Sequence, residues 1–368
     1  MTRSMQQKPT LWLRSEHKPN EARTPLTPKV VKELLDAGYK VVVEQSDTRA
    51  FDDQAYLDVG CTMTEEFSWQ QAPDDVIVIG LKELSADLGP FRHRHVHFAH
   101  VYKNQQGWSE FLNQFNIGKG ELYDLEYLVD ENGRRIAAFG YWAGYVGAAI
   151  ALMQWAAQQS NSTVGLLKPW PGRDQLQADV QQSIDATGSK PKAMVIGAKG
   201  RSGGGAIELC ERCGIEVTQW DQDETSAGGP FDEILDHHVM VNCVFLGYPI
   251  PPFTTMDHLQ SSSRVLSVVS DVSCDPFSDA NPLPIYDNCT TMASPSLRII
   301  DPGEGVQPLD LISIDHLPSL LPVESSDEFA TSLLPYLLNI DQLDTGVWQR
   351  AAAVFKQKCV DAQNGVRA

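Results

Sequence analysis

Basic residues are scarce in this chain of 368 residues, which has 29 Lys and Arg against 48 Asp and Glu and a formal net charge of −19. Nucleic acids and anionic membranes are bound through concentrated Lys and Arg, so this balance argues against both partners. Long uncharged segments are also scarce. Residues 141–157 carry no charge, but they include Gly, Gln, Tyr and Trp and are few for a membrane span. A buried helix is the favoured interpretation.

Cysteine is present but follows no disulfide pattern, because the seven residues are odd in number and scattered. Cys210 and Cys213 have the spacing of a metal or redox pair. No second Cys or His pair lies nearby, which favours simple packing on a helix. Residues 1–18 lack the apolar core of a signal peptide. We therefore expect reduced thiols and a cytoplasmic protein.

A glycine-rich turn is the most informative motif. Gly197-Ala-Lys-Gly200-Arg-Ser-Gly203 follows an apolar run, 193–196, and precedes a predicted helix over 206–212. Glycines at such a turn let the backbone approach a pyrophosphate, which the helix amides can then bind. A second predicted strand, 216–220, ends before Asp221, and an acid there binds the adenine ribose and repels a 2′-phosphate. The candidate cofactor-binding residues are Gly197, Gly200, Arg201, Ser202, Gly203 and Asp221. The pattern favours NAD over NADP, with an ordinary glycine turn as the alternative.

Predicted strands and helices alternate along the chain. Apolar runs predict strands over 11–14, 40–44, 76–79, 97–102, 193–196, 216–220, 239–245, 265–269 and 311–314. Helices are predicted over 28–37, 141–159 and 346–361, the first of them capped by Thr27. A hairpin is predicted from 121–129 and 134–139, joined by Asn132-Gly133.

This order predicts an α/β fold with two Rossmann-like domains, parallel doubly wound sheets and an interdomain cleft. The predicted NAD-binding domain is 139–323. The C-terminal helix follows the last strand of that domain and can return to the first domain. The substrate-binding and catalytic domain is therefore predicted to be discontinuous, 1–138 plus 324–368.

A dinucleotide domain supplies the hydride acceptor, so the other domain must supply acid, base and anion-binding groups. The candidates there are Lys18, Glu21, Arg23, Lys82, His100, Lys103, Glu126 and Arg135. Lys82 lies just past the strand 76–79, where α/β sheets present active groups, although a solvated lysine at a strand end is an equal alternative.

Histidine is dense between residues 93 and 100. His93, His95 and His97 would share one face of a strand and could bind zinc, but no Cys or carboxylate ligand stands nearby, so we expect no metal. His100 is flanked by apolar residues and is expected to be partly enclosed. It is either a satisfied core group or a general base.

Several long segments resemble the saccharopine dehydrogenase family, of the NAD-dependent, lysine-forming fungal type. They include Arg14-Ser-Glu-His-Lys-Pro-Asn-Glu-Ala-Arg-Thr-Pro, Ile79-Gly-Leu-Lys-Glu, Phe98-Ala-His-Val-Tyr-Lys, Leu122-Tyr-Asp-Leu-Glu-Tyr, Gly133-Arg-Arg-Ile-Ala-Ala-Phe-Gly, Gly228-Gly-Pro-Phe-Asp-Glu and Ile314-Asp-His-Leu-Pro-Ser-Leu-Leu-Pro. The resemblance covers residues 10 to 360. It implies reversible, NAD-dependent cleavage of saccharopine to lysine and 2-oxoglutarate in lysine biosynthesis.

The resemblance also implies roles for the candidates. Lys82 would take a proton from the secondary amine of the substrate, and His100 would activate water. Lys82, placed among Lys103, Arg23 and Arg135, should have a depressed pKa. Arg23 and Arg135 would grip substrate carboxylates with planar forks. The implied substrate-binding residues are Lys18, Glu21, Arg23, Lys103, Glu126, Arg135 and Asp315.

Two alternatives remain at this stage. The chain could be an alanine dehydrogenase-like enzyme acting on a smaller amino acid, or a non-catalytic NAD-binding regulator. Arg135 and Lys103 favour the larger substrate, and the presence of both Lys82 and His100 favours turnover. The family resemblance favours a monomer whose partners are small molecules.

Overall fold

The structure is a computed structural model that describes residues 8–103, 105–303 and 306–364, so residues 1–7 of the N-terminal segment considered above lie outside the described residues. The chain forms two compact units. Unit 1 comprises Met1–Ala138 and Ser325–Ala368, and unit 2 comprises Phe139–Glu324.

The elements follow in the order β1 (Thr10–Leu13), α1 (Pro28–Asp36), β2 (Lys40–Glu44), α2 (Asp53–Asp58), β3 (Thr62–Thr64), β4 (Ile77–Ile79), β5 (Arg94–His97), α3 (Trp108–Gly118), β6 (Glu121–Asp124), α4 (Gly140–Gln158), α5 (Arg173–Asp185), β7 (Lys192–Ile196), α6 (Arg201–Arg212), β8 (Glu216–Trp220), α7 (Gln222–Thr225), β9 (Val239–Asn242), α8 (Met256–Leu259), β10 (Val268–Asp271), β11 (Leu297–Ile300), β12 (Leu309–Ile312), α9 (Pro322–Leu337) and α10 (Gly346–Asn364).

Unit 1 is built on a parallel six-stranded sheet in the order β3-β2-β1-β4-β5-β6. The strand order reverses between β1 and β4, and in open α/β sheets the carboxyl ends at such a point form the ligand-binding crevice. α3 and α10 pack together, with Phe115 of α3 against Phe355 of α10. This aromatic layer covers one face of the sheet and holds β4, β5 and β6 in place.

Unit 2 is built on a six-stranded sheet in the order β11-β12-β10-β9-β7-β8, parallel except for β11, which runs antiparallel to β12. Side chains alternate along β7: Ala193 and Val195 pack in the cluster of α4 and α6, and Met194 and Ile196 pack in a second cluster. Apolar layers therefore cover both faces of the sheet, as expected for a doubly wound domain.

Helix α4 is buried along most of its length. A Cβ at Gly144 would lie 1.7 Å from the carbonyl oxygen of Ser202, so α4 and α6 pack closely because this residue lacks a side chain. This confirms the prediction of a buried helix. No helix among the described residues is long and apolar enough to cross a membrane.

The α/β prediction is confirmed, but two local predictions are wrong. The strand expected over 97–102 is β5, Arg94–His97, and the chain then turns, with His100 at φ +53°. The expected hairpin is reduced to β6 and a single bridge between Val129 and Arg135. Helix α5 was not predicted from the sequence. Cys210 and Cys213 are buried in the apolar cluster of α6, in agreement with packing.

Three of the four histidines between residues 93 and 100 lie in the core of unit 1. His95 and His97 are 0% exposed, and their ring centroids lie 5.8 Å apart in an aromatic environment that includes Phe111 and Phe115. Within the part of the chain that the structure describes, their ring nitrogens have no hydrogen-bond partner, and no group of three or more His, Cys, Asp or Glu could hold a metal ion. Burial, reinforced by the charge of Arg14, holds the pKa of both imidazoles well below 6.5.

We expect this histidine pair to weaken the fold in acid. Both rings stay neutral in the folded protein, whereas the unfolded chain takes up two protons below pH 6.5. Stability should therefore fall with decreasing pH, and the slope approaches about 1.4 kcal/mol per pH unit for each group once the pH is well below 6.5. Urea unfolding between about pH 7 and pH 5 should show an average pH slope shallower by about 2 kcal/mol per unit in the double variant His95→Leu/His97→Leu. Equal slopes would contradict the prediction.

Candidate active site

The turn between β7 and α6 needs glycine at two positions. Gly197 has φ +90°, and a Cβ at Gly203 would lie 2.1 Å from the carbonyl oxygen of Gly197. Gly200 is the N-cap of α6, so the amides of Arg201, Ser202 and Gly203 form the first turn of the helix. This turn lies at the carboxyl end of β7, where β8 is on one side and β9 on the other. A pyrophosphate fits such a place.

The carboxylate of Asp221 lies beside the same turn. It accepts hydrogen bonds from the backbone N–H groups of Lys199 at 2.7 Å and Gln222 at 2.8 Å. These hydrogen bonds hold the pKa of Asp221 below its usual value, so the side chain is ionised near neutral pH. A partly exposed carboxylate in this place fits the hydroxyls of an adenine ribose. Unit 2 thus brings all six candidate cofactor-binding residues together.

In unit 1, the backbone of Lys82 is fixed by two buried side chains. The carboxylate of Glu16 accepts the N–H groups of Leu81 at 2.7 Å and Lys82 at 2.9 Å. Arg14, 1% exposed, pairs with Glu16 at 3.2 Å and donates to the carbonyl oxygen of Lys82. A Cβ at Gly80, two residues before Lys82, would lie 2.2 Å from Nε of Arg14, so this position has no space for a side chain.

The half-buried ammonium of Lys82 has a pKa below its ordinary 10.5. Burial is the largest cause, and the positive charges of Arg23 and Lys18 add to it, while Glu21 and Glu83 act in the opposite direction. The predicted direction is confirmed. The cause of the lowered pKa differs in part from the one expected. Burial is the main cause, and Lys103 and Arg135 are not among the charges that contribute most.

Arg23 is engaged within the protein in a way the sequence did not indicate. Its Nε and Nη2 donate to the two carboxylate oxygens of Glu21 at 2.8 and 2.7 Å, and both side chains are buried. Burial opposes ionisation of Glu21, but the hydrogen bonds and charge of Arg23 outweigh it and lower the pKa of Glu21. The guanidinium of Arg23 was expected to bind a substrate carboxylate. It pairs with Glu21 instead, because the two residues lie on one short loop.

His100 lies between two carboxylates. Its Nε2 is 4.0 Å from Glu83 and its Nδ1 is 3.8 Å from Glu126, while its ring stacks on Phe98. The side chain is 46% exposed, so it is less enclosed than its apolar flanks suggest. Burial is the largest cause of its pKa lying below 6.5, and the charge of Lys82 adds to it; Glu83 and Glu126 oppose it.

The two carboxylates connect His100 to three cations. Glu126 pairs with Lys103 at 2.8 Å and with Arg135 at 3.4 Å, and Glu83 pairs with Lys18 at 3.0 Å. Burial would raise the pKa of Glu126, but its hydrogen bond with Lys103 and the nearby charges lower it. Alternating charges therefore surround Lys82 and His100, and eight of the nine substrate-site candidates lie together in unit 1.

The ninth substrate-site candidate, Asp315, lies in unit 2, three residues after β12. Its negative charge acts on the thiol of Cys274. Sequence reasoning placed Asp315 near the end of a strand, and the structure agrees on that point.

Known proteins are similar to this chain over most of its length. Residues 12–146 match the family described as alanine dehydrogenase/PNT, N-terminal domain. Saccharopine dehydrogenase [NAD(+), L-lysine-forming] from Yarrowia lipolytica is 46% identical over 94% of this chain and 96% of its own, and the protein of that name from Schizosaccharomyces pombe is 45% identical over 95% and 98%.

The chain belongs to the saccharopine dehydrogenase family.

Solved structures support the fold of this saccharopine dehydrogenase family member. An L-alanine dehydrogenase has a TM-score of 0.64 at 17% identity, covering 96% of this chain and 100% of its own. A transhydrogenase from Sinorhizobium meliloti has a TM-score of 0.59 at 16% identity, covering 91% and 95%. At these identities the likeness concerns the fold alone.

Sequence reasoning missed several residues at the site of this family member. Glu16 and Glu83 stand in the motifs that carry the family resemblance, but nothing in their spacing indicates their contacts. Asp124, at the end of β6, is buried and accepts the N–H groups of Ala99 at 3.3 Å and Glu126 at 2.8 Å. Burial raises its pKa to about 7. Asp124 thus ties the backbone before His100 to that of Glu126.

Proposed function

We propose that the chain catalyses the reversible, NAD-dependent cleavage of saccharopine to L-lysine and 2-oxoglutarate, a step of lysine biosynthesis. The observation that carries the proposal is the position of Lys82, half-buried, with a lowered pKa, next to a histidine between two carboxylates. Perturbed pKa values in such a setting indicate acid–base chemistry. The family membership and the fit of unit 2 to a dinucleotide support the same reaction.

NAD, when bound, accepts the hydride from the substrate. Gly197, Gly200 and the first turn of α6, Arg201 to Gly203, would hold the pyrophosphate, because helix amides and bare glycine backbone lie there. Asp221 would hold the ribose hydroxyls and exclude a 2′-phosphate by charge repulsion.

Lys82 would take the proton from the secondary amine of saccharopine, since its lowered pKa increases the fraction of free amine near neutral pH. His100 would take a proton from the water that attacks the resulting imine, because its lowered pKa keeps the imidazole neutral. It would then return protons as the C–N bond of the carbinolamine breaks.

The substrate carries several carboxylates, and the cations of the site divide between two tasks. Lys18, Lys103 and Arg135 are more exposed and would bind carboxylates. Arg23, buried on Glu21, would act on Lys82 through its charge. Glu126 would orient Lys103 and Arg135, and Asp315 would also bind the substrate.

The deciding experiment follows NADH absorbance in two parallel reactions, one with lysine plus 2-oxoglutarate and one with pyruvate plus ammonia. NADH oxidation only with the lysine pair supports the proposal. Oxidation with pyruvate and ammonia would instead indicate an alanine dehydrogenase-like enzyme. NADH binding without oxidation in either reaction would indicate a regulator.

We also propose that the protein is cytoplasmic and monomeric. A dimeric mass in light scattering would contradict the monomeric state.

Asp221→Ala should weaken NADH binding about tenfold, because a charged hydrogen-bond acceptor for the ribose is lost. Affinity is measured by quenching or enhancement of NADH fluorescence. The matched control is Asp223→Ala, which removes a carboxylate that pairs with Lys199 in the same segment. We expect its affinity to stay near that of the wild type. Equal NADH affinities in the Asp221 variant and the wild type would place the ribose elsewhere.

Arg135→Ala should raise the KM for 2-oxoglutarate by about tenfold with a smaller change in kcat, because a bidentate carboxylate partner is lost. Steady-state kinetics with 2-oxoglutarate as the varied substrate measure both constants. Arg134→Ala removes the neighbouring, exposed arginine and should leave KM unchanged. A similar KM in both variants would remove Arg135 from the binding site.

A further inference from the structure

Two thiols lie almost in contact in unit 2. Cys274 follows β10 and Cys289 precedes β11, and their Sγ atoms are 3.0 Å apart. We propose that Cys274 and Cys289 are an oxidative modification site, at which peroxide converts the two thiols into an intramolecular disulfide.

The backbone around both cysteines is held by hydrogen bonds. The N–H of Thr290 donates to the carbonyl oxygen of Ser313 at 2.8 Å, and the N–H of Ser313 donates to Oγ1 of Thr290 at 2.9 Å. The N–H of Ser273 donates to Asp271 at 3.1 Å. To form a disulfide bond of about 2.05 Å, the two Sγ atoms must approach each other by about 1 Å. Rotation of the two side chains can provide this movement while the backbone stays in place.

Exposure separates the roles of the two thiols. Cys289 is exposed and meets the oxidant, whereas Cys274 is partly buried and also contacts the carbonyl oxygen of Ser313. Burial raises the pKa of Cys274, so this thiol keeps its proton until its partner is oxidised. Asp315 is close enough for its charge to act on Cys274, so the site adjoins a proposed substrate-binding residue.

The reaction has two steps. The Cys289 thiolate attacks one peroxide oxygen, the O–O bond breaks, and a sulfenic acid forms while hydroxide leaves and is protonated to water. The Cys274 sulfur then attacks the sulfenic sulfur, the S–O bond breaks, and the departing hydroxide combines with the Cys274 proton to form water. In total, two thiols lose two electrons and two protons, and one peroxide is reduced to two waters.

The test treats the folded, full-length protein with hydrogen peroxide, alkylates the remaining thiols after denaturation and maps the peptides by mass spectrometry. Residues 265–297 contain no Lys or Arg, so trypsin leaves both cysteines on one peptide. A second protease that cuts before Asp separates them, because Asp275, Asp279 and Asp287 lie between. The expected product joins peptide 271–274 to peptide 287–298, with loss of two of the seven thiols. A dithiol reductant should restore both.

The matched variants are Cys289→Ser and Cys210→Ser. Cys289→Ser should abolish the loss of two thiols, whereas Cys210→Ser removes a buried thiol and should leave the linked peptide intact. Peroxide-treated wild type with Cys274 and Cys289 still alkylated would overturn the proposal. A link from Cys289 to a second chain, or an unchanged loss of two thiols in Cys289→Ser, would overturn it as well.

Discussion

Replacing Lys82 by methionine is expected to lower kcat about 1000-fold in both directions of the proposed reaction, while NADH binds with wild-type affinity. Methionine has a similar length but cannot accept or return the proton of the secondary amine. Lys82 lies in unit 1, and the residues that fit NAD lie in unit 2, so the substitution should leave the NADH site intact. Steady-state rates of NADH oxidation and of NAD reduction measure kcat in the two directions, and NADH fluorescence measures the affinity.

Lys103→Met is the matched control for Lys82→Met. Lys103 is a lysine of the same site, but its pKa is raised by its hydrogen bond to Glu126, so it keeps its proton near neutral pH and cannot act as a base. Its loss should raise the KM for the dicarboxylate substrate more than it lowers kcat. Near-normal turnover in Lys82→Met, or equal losses of kcat in both variants, would exclude Lys82 as the base.

Sequence reasoning located most elements because apolar periodicity sets which segments can be buried. It predicted β2 and α4 to within about a residue. The strand prediction failed for residues 98–102. These residues are apolar and favour a strand, but they do not extend β5. Asp124 accepts the N–H of Ala99, and His100 takes a left-handed conformation. The side chain of Asp124, 25 residues away in the sequence, fixes the backbone conformation of this segment. The local sequence pattern does not reveal such a contact.

The candidate site could be predicted only at the level of residue types. Lys82 was placed just past a strand and His100 inside a predicted strand, and the family resemblance suggested their roles. Their surroundings were not predictable from the sequence, because the Arg14–Glu16 pair and the Glu21–Arg23 pair are side-chain contacts set by loop conformation. Arg23 illustrates the difference: an arginine available to a substrate and one fixed on a neighbouring glutamate look the same in sequence.

Arg14→Met is expected to destabilise unit 1 by about 3 kcal/mol, because it leaves the carboxylate of Glu16 buried without its cation. Arg14 has no exposed surface in its side chain, and Glu16 has 7%. The carbonyl oxygens of Ser15 and Lys82 would also lose their donor. The free energy of unfolding in urea measures the loss.

Arg94→Met is the control for Arg14→Met, because it removes an arginine that is half-exposed and pairs with Glu121 at 3.7 Å. An exposed ion pair contributes about 0–1 kcal/mol, so this variant should unfold close to the wild type. Because Arg14 and Glu16 hold the backbone of Lys82, folded Arg14→Met protein should also lose turnover, whereas folded Arg94→Met should not. Unfolding free energies within about 1 kcal/mol of each other would mean that the buried pair does not hold this loop.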